Sequence, residues 1–192
     1  MKVLVACEYS GTTRDAFLKL GHDAMSCDLL PTESEGPHYQ GNVLDILYDG
    51  WDLLIAHPPC TYLSYAATSS WNNPGRAELR EQALEFFILF INAPIEKICV
   101  ENPVGYPNTV YRKPDQIIHP YYFGEPEMKR TCLWLKNLPL LTYDIANKKN
   151  KPEPYYVDSN GKNRHFTDAT RGGKTRSKSF KSIANAMASQ WG

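Results

Sequence analysis

The 192-residue chain has no apolar run of membrane-spanning length, so no segment of it is expected to cross a bilayer as a helix. Met1-Lys2-Val3 leads straight into a strand-like run rather than through a charged and then apolar leader, and the expected location is the cytoplasm. Paired cysteine spacing is also missing. The five cysteines are an odd number with no Cys-x-x-Cys, and Cys7, Cys27 and Cys99 sit in apolar runs that suit buried, reduced thiols. Neither a disulfide framework nor a zinc site is expected. Net charge is zero, with 21 Lys and Arg against 21 Asp and Glu, so any affinity for a polyanion has to come from uneven placement of charge. With no internal repeat and no low-complexity tract, the length fits one enzyme-sized domain over residues 1–192.

The charge is indeed unevenly placed. Residues 144–182 carry ten Lys and Arg against four Asp and Glu, a net of +6 that leaves −6 for the remainder. The stretch is rich in Gly, Asn, Ser and Pro and shows no sustained periodicity, which predicts a long basic loop or insertion at about 141–178. Its cations alternate with Tyr155, Tyr156, His165 and Phe166. That mixture suits phosphate contacts and base stacking as well as it suits a solvated connector. Elsewhere strand-type and helix-type patterns alternate, which predicts an α/β fold with a mixed or parallel sheet and helices on both faces. Strands are expected at 2–7 and 23–28 around a helix from Gly11 to Leu20, and again at 117–123 and 131–135. The clearest helix starts near Asn73-Pro74 and carries Leu79, Ala83, Phe86, Phe87 and Phe90 on one face, and 179–190 predicts a closing helix.

The most informative segment is His57-Pro58-Pro59-Cys60, which closes the apolar run Trp51-Asp52-Leu53-Leu54-Ile55-Ala56. Two successive prolines fix their own φ and restrict the residue before them, so Cys60 is presented on a rigid turn outside the sheet. Such a thiol suits nucleophilic chemistry. About forty residues later the run Ile95-Glu96-Lys97-Ile98-Cys99-Val100 ends in Glu101-Asn102-Pro103, again placing a polar side chain at the strand edge where open α/β sheets bind ligands. For Cys60 alone the competing reading is a structural thiol or a zinc ligand with His57, the latter disfavoured by the lack of a Cys-x-x-Cys pair or second His nearby, and for Glu101 alone a surface or capping carboxylate.

Together these residues resemble the cytosine-C5 DNA methyltransferases, whose hallmarks are a Pro-Pro-Cys nucleophile and a Glu-Asn dipeptide in this order on successive strands. More closely, the chain is similar to compact phage-borne members of that family over residues 2 to about 140 and 179–192. Val3-Leu-Val-Ala-Cys-Glu-Tyr-Ser-Gly11 looks like the first strand and cofactor loop, Gly21–Asp28 like the second strand with its acidic end, and Gly41–Asp45 like the third element. Ile183-Ala184-Asn185-Ala186-Met187 is similar to the family's late Gly-Asn-Ala segment.

The resemblance implies a Rossmann-like fold and S-adenosyl-L-methionine as cofactor, bound through Ser10, Gly11, Asp28, Asn42, Pro58 and Asn185. It implies that Cys60 adds to C6 of cytosine and makes C5 nucleophilic, that Glu101 stabilises the protonated ring, and that Arg130 or its neighbour Lys129 supports Glu101. DNA is the implied partner, through the basic segment 144–182. A base in duplex DNA would have to be flipped out to reach Cys60, with Thr61–Asn73 as the closing loop.

The chain departs from the family pattern at four points. The first loop keeps one glycine where the family has several, Asn42 stands where an Asp is usual, the Gln-x-Arg-x-Arg element has no close copy, and only residues 141–178 stand in for a recognition domain. Asp28 also reads as a turn former before Leu29-Leu30-Pro31, and Asn185 as a helix cap. Three functions stay open: methylation of cytosine in DNA or of a free cytosine nucleotide, methylation of an exocyclic amine, and a non-catalytic phage protein that keeps the fold. The second is disfavoured because His57 and Cys60 replace both ends of the amino-methyltransferase motif.

Overall fold

The computed structural model describes residues 1–165 and 178–192. Short aliphatic runs form strands β1 (Lys2–Ala6), β2 (Asp23–Asp28), β3 (His38–Gln40), β4 (Leu53–Ala56), β5 (Lys97–Pro103), β6 (Gln116–Ile118) and β7 (Thr131–Lys136). They make one seven-stranded sheet in the order β3-β2-β1-β4-β5-β7-β6. The pairings from β3 through β5 are parallel, whereas β7 is antiparallel to both β5 and β6. The fold is therefore α/β with a mixed, largely parallel sheet.

Strand alternation divides the apolar side chains between two faces. Val3, Val5, Leu53, Ile55, Cys99 and Leu133 lie on the face covered by α1 (Thr12–Lys19) and the C-terminal helix, here α5 (Lys181–Trp191), through Phe17, Ile183, Met187 and Trp191. Leu4, Ala6, Leu54, Ile98, Val100 and Trp134 lie on the other, covered by α2 (Arg76–Ile91). Phe87 and Phe90 of α2 are fully buried there, each contributing roughly 2 kcal/mol of apolar burial, and Phe87 meets Trp134 edge-on at 4.9 Å. Only the C-terminal half of α2 covers the sheet, so Leu79, expected on its buried face, stays 38% exposed.

Several expected boundaries move. The strand expected at 117–123 ends at Ile118 because Pro120 has no N–H for the ladder, and Pro120–Phe123 turns as a 3-10 segment closed by Gly124 at φ 92°. A short helix α3 (Pro107–Val110) follows β5, and the expected loop of 141–178 contains structure of its own: α4 (Ile145–Lys149), capped by Asp144, and a hairpin of β8 (Tyr156–Val157) and β9 (Asn163–Arg164) that stays separate from the main sheet. Phe166 and the rest of 166–177 lie outside the described residues.

Arg14 anchors the loop before β3 and had no sequence signal. It is completely buried within α1, and its guanidinium donates to Asp15 Oδ1, Ser26 Oγ, Ser34 Oγ and the carbonyls of Ser34, Glu35 and Pro37. Gly11, at φ 72°, lies against it so tightly that a Cβ there would come within 2.4 Å of Arg14 Nη2. Replacing Arg14 with Ala strands these acceptors and opens a cavity, and is expected to cost about 3 kcal/mol. A lower denaturant midpoint at unchanged m-value is the readout.

Candidate functional site

In the parallel pairing of β4 with β5, Ile55 lies opposite Cys99 and Ala56 opposite Val100. One rung further the same register sets His57 opposite Glu101, and alternation puts both on the face covered by α1 and α5. There His57 Nδ1 and Glu101 Oε2 are 2.9 Å apart, with side-chain exposures of 11% and 16%. The backbone N–H of His57 donates to Ala6 O at 2.9 Å, so strands on both sides hold this residue. Asn102 points to the opposite face and is buried, and its Nδ2 donates to Pro58 O at 2.7 Å. Two adjacent residues of β5 thus hold the two residues that precede Pro59 and Cys60.

Cys60 itself is exposed. Its carbonyl accepts from the amides of Leu63 at 3.1 Å and Ser64 at 2.9 Å, a tight turn that keeps the residue out at the sheet edge. Just beyond, Ser64 bridges to Gly105 and the amide of Tyr106 donates to Leu63 O at 2.7 Å. A Cβ at Gly105 would meet Leu63 O at 2.1 Å, so the chain after Cys60 and the chain after Glu101 touch backbone to backbone. Within Thr61–Asn73, Trp71 packs on Arg80 at 4.6 Å and on Tyr106 at 5.8 Å. Burial pushes the thiols of Cys7, Cys27, Cys99 and Cys132 up, that of Cys27 to about 11. Those four are poor nucleophiles at neutral pH.

The His57–Glu101 pair borders a cavity of about 20 Å³ whose lining includes Thr13, Lys129, Thr131 and Phe180. Burial by itself would drive Glu101 up, but the hydrogen bond from His57 and the charges of Lys129 and His57 hold it below the usual carboxylate range. Burial likewise lowers His57, and the hydrogen bond and charge of Glu101, with Glu8 behind it, raise it above its ordinary value. Each partner thus favours the charged form of the other, imidazolium for His57 and carboxylate for Glu101. His57 Nε2 is buried, with no hydrogen-bond partner among the described residues.

Glu8, a further buried carboxylate, fills the loop after β1. It accepts from the amides of Thr13 at 2.7 Å and Arg14 at 3.2 Å and from Ser10 Oγ at 3.3 Å, an acidic cap on α1 that complements the helix dipole. Ser10 and Gly11 therefore belong to a network closed by Glu8, Ser34 and Arg14. Asp28 is half-buried at the carboxyl end of β2 and accepts from Leu30 N at 2.9 Å. Asn42 is exposed, and its Oδ1 caps the 3-10 turn Val43–Asp45 through Leu44 N.

Pro58 is buried in the clamp from Asn102. Asn185 is not brought to the cavity: Ile183, Ala184 and Met187 of α5 line it, whereas Asn185 is exposed on the other side, in an open groove of about 490 Å³ with Lys19, Tyr122 and Tyr143. Arg130 is exposed as well. The extended chain alternates, so Lys129 and Thr131 line the cavity and Arg130 points away. Among the described residues no three His, Cys, Asp or Glu side chains converge to hold a metal ion. No helix among them is long and apolar enough to cross a membrane.

No protein-family model matches this chain, and no curated protein matches its sequence.

The pair makes stability depend on pH in a defined window. His57, raised in the fold, contributes fully below its unfolded value of 6.5 and loses the contribution as pH rises through its higher folded value. Glu101, lowered in the fold, contributes above 4.5 and loses it as pH falls through its lower folded value. The difference in Tm between the wild-type protein and Glu101→Gln is expected to be largest between pH 4.5 and 6.5. A difference independent of pH would show that the ion pair is not formed.

Proposed function

We propose that this protein is a Rossmann-like, S-adenosylmethionine-dependent methyltransferase that acts on C5 of cytosine in DNA through a covalent Cys60 adduct. One observation carries the reading. An exposed thiol on a Pro-Pro turn and a partly buried carboxylate stand at the carboxyl ends of neighbouring parallel strands, and Glu101 and Asn102 of β5 hold the turn through His57 and Pro58. Strand order supports it too, because the chain reverses direction across the sheet between β1 and β4, where α/β sheets open a ligand crevice. Glu8 and His57 follow those two strands.

The fit to the cofactor is uneven. The half-buried carboxylate of Asp28 suits ribose hydroxyls, as acidic residues at that place in nucleotide-binding folds do. At the other end the amides of Thr13 and Arg14 are already taken by Glu8, so α1 offers no anion site for a carboxylate there. Asp28 and the edge formed by Pro58 would hold the nucleoside half. S-adenosylmethionine, when bound, supplies an electrophilic methyl group.

The remaining chemistry belongs to the chain. Cys60 sulfur bonds to C6, and the ring electrons pass through C4 to N3, where Glu101 directs the proton that neutralises the developing negative charge. C5 becomes an enamine carbon. A water at the site takes the C5 proton, the C5–H pair restores the C5–C6 double bond, and the C6–S pair returns to Cys60 as the base is released. The cavity beside Glu101 has room for about one water, so a pyrimidine enters only if Lys178–Phe180 move aside.

Transfer of labelled methyl groups to duplex DNA, single-stranded DNA and deoxycytidine monophosphate tests this. Cys60→Ser is expected to abolish transfer, and Glu101→Gln to lower it by roughly 10²-fold or more. Normal transfer by Cys60→Ser would overturn the covalent route, and cofactor binding without transfer to any cytosine would favour the non-catalytic protein.

For DNA as partner, the support is the basic hairpin region, with Tyr155 70% and Tyr156 46% exposed beside Lys151 and Arg164. Arg164 pairs with Asp158 at 2.8 Å and helps to hold the hairpin, so the informative change is neutralisation of Lys148, Lys149 and Lys151. The slope of log affinity against log salt is expected to flatten by about two to three for DNA, with cofactor affinity unmoved. An unchanged slope would make the segment a connector.

A further inference from the structure

We infer that His57 is a positioning residue that stores the proton Glu101 delivers to N3 of the target base, so that the donor of this site is the His57–Glu101 pair and not a glutamic acid. This rests on the methyltransferase reading above. Three observations carry it. The pair is direct and short, at 2.9 Å, and both residues are tied to the sheet by the β4–β5 register. Glu101 sits below the ordinary carboxylate range, so near neutrality it has no proton of its own to give. The second ring nitrogen, Nε2, has no hydrogen-bond partner among the described residues and belongs to a side chain that lines a cavity with room for about one water, an acceptor for the Nε2–H that the imidazolium carries.

The groups around His57 keep the proton there until a base arrives. Glu8 in the loop after β1 and Glu101 in β5 favour the imidazolium, whereas Lys129 before β7 opposes it. Lys178, before α5, lines the same cavity and is engaged by Glu33 at 2.5 Å.

The step balances. Cys60 gives its thiol proton to solvent water and its sulfur bonds to C6; the C5–C6 π pair moves to C4–C5, and the C4–N3 π pair moves to N3. A proton passes from His57 Nδ1 to the Glu101 carboxylate, and one passes from that carboxyl group to N3. His57 is left neutral and Glu101 is again a carboxylate. On elimination the C6–S bond breaks, N3 returns its proton, and the pair is restored.

Addition and protonation without methyl transfer let the C5 hydrogen exchange with water, so release of tritium from DNA containing 5-tritiated cytosine reads this step alone. The wild-type rate is expected to fall on the alkaline side as His57 loses its proton. His57→Gln, which keeps a hydrogen-bond donor, is expected to lose at least about tenfold at pH 7 and to follow an acidic limb set by Glu101. NMR titration of the His57 ring gives a readout apart from turnover. Its midpoint is expected above 6.5 in the wild-type protein and lower in Glu101→Gln.

Wild-type exchange with an unaltered pH profile in His57→Gln, or a His57 midpoint indifferent to Glu101→Gln, overturns this inference and leaves the methyltransferase reading intact. No exchange by the wild-type protein on any cytosine substrate overturns that reading, and the proton role with it.

Discussion

The parallel register of β4 against β5 is the constraint on which the rest of the site depends. Because Ile55 faces Cys99, His57 must face Glu101 on one side of the sheet and Asn102 must emerge on the other. A slip of one residue would exchange the two faces, presenting the carboxylate where Pro58 needs a donor and the amide where the imidazole needs an acceptor. The apolar alternation prevents that slip: Leu53 and Ile55 fill one core, and Leu54 and Ala56 the other, all four with no exposed surface. The packing that stabilises the sheet therefore also sets the chemistry at its edge.

Burial gives the charges at this edge their weight. Glu8, His57, Glu101 and Lys129 gather where the sheet ends and the covering helices begin, a place with little water to screen them. Isolated, a buried carboxylate would take up a proton and a buried imidazole would lose one. Paired, each favours the charged form of the other. Glu8 avoids the penalty in another way, by accepting hydrogen bonds from the free amides at the start of α1. The same arrangement removes the anion cradle that a glycine-rich loop would leave open, which is the physical counterpart of having one glycine, Gly11, in that loop.

Much of the fold was legible because it follows from local periodicity. The strands at 2–6, 23–28 and 131–136 and the first, second and last helices are where the apolar patterns put them, and Pro58-Pro59 predicted an outward turn at Cys60. An error arose where a boundary depends on hydrogen-bond supply, as at Pro120, and the cap that Asn42 supplies to Val43–Asp45 was not foreseen. The choice between Arg130 and Lys129 could not be made without knowing the phase of the strand. Asn185 shares the same limit, since its place on α5 depends on which stripe of the helix meets the sheet.

Sequence alone determined that a thiol would stand on a rigid turn after one strand and a carboxylate at the end of another, because proline geometry and apolar runs act over a few residues. It also determined that Cys7, Cys27 and Cys99 would lie in apolar runs. Only the tertiary structure decided that His57 and Glu101, 44 residues apart, form an ion pair, that Asn102 clamps Pro58, and that the buried Arg14 and Glu8 close the loops around them. Those contacts join separate strands, helices and loops, and their existence depends on sheet order and register. Neither is encoded within any one segment; both come from how all the segments bury their apolar faces together.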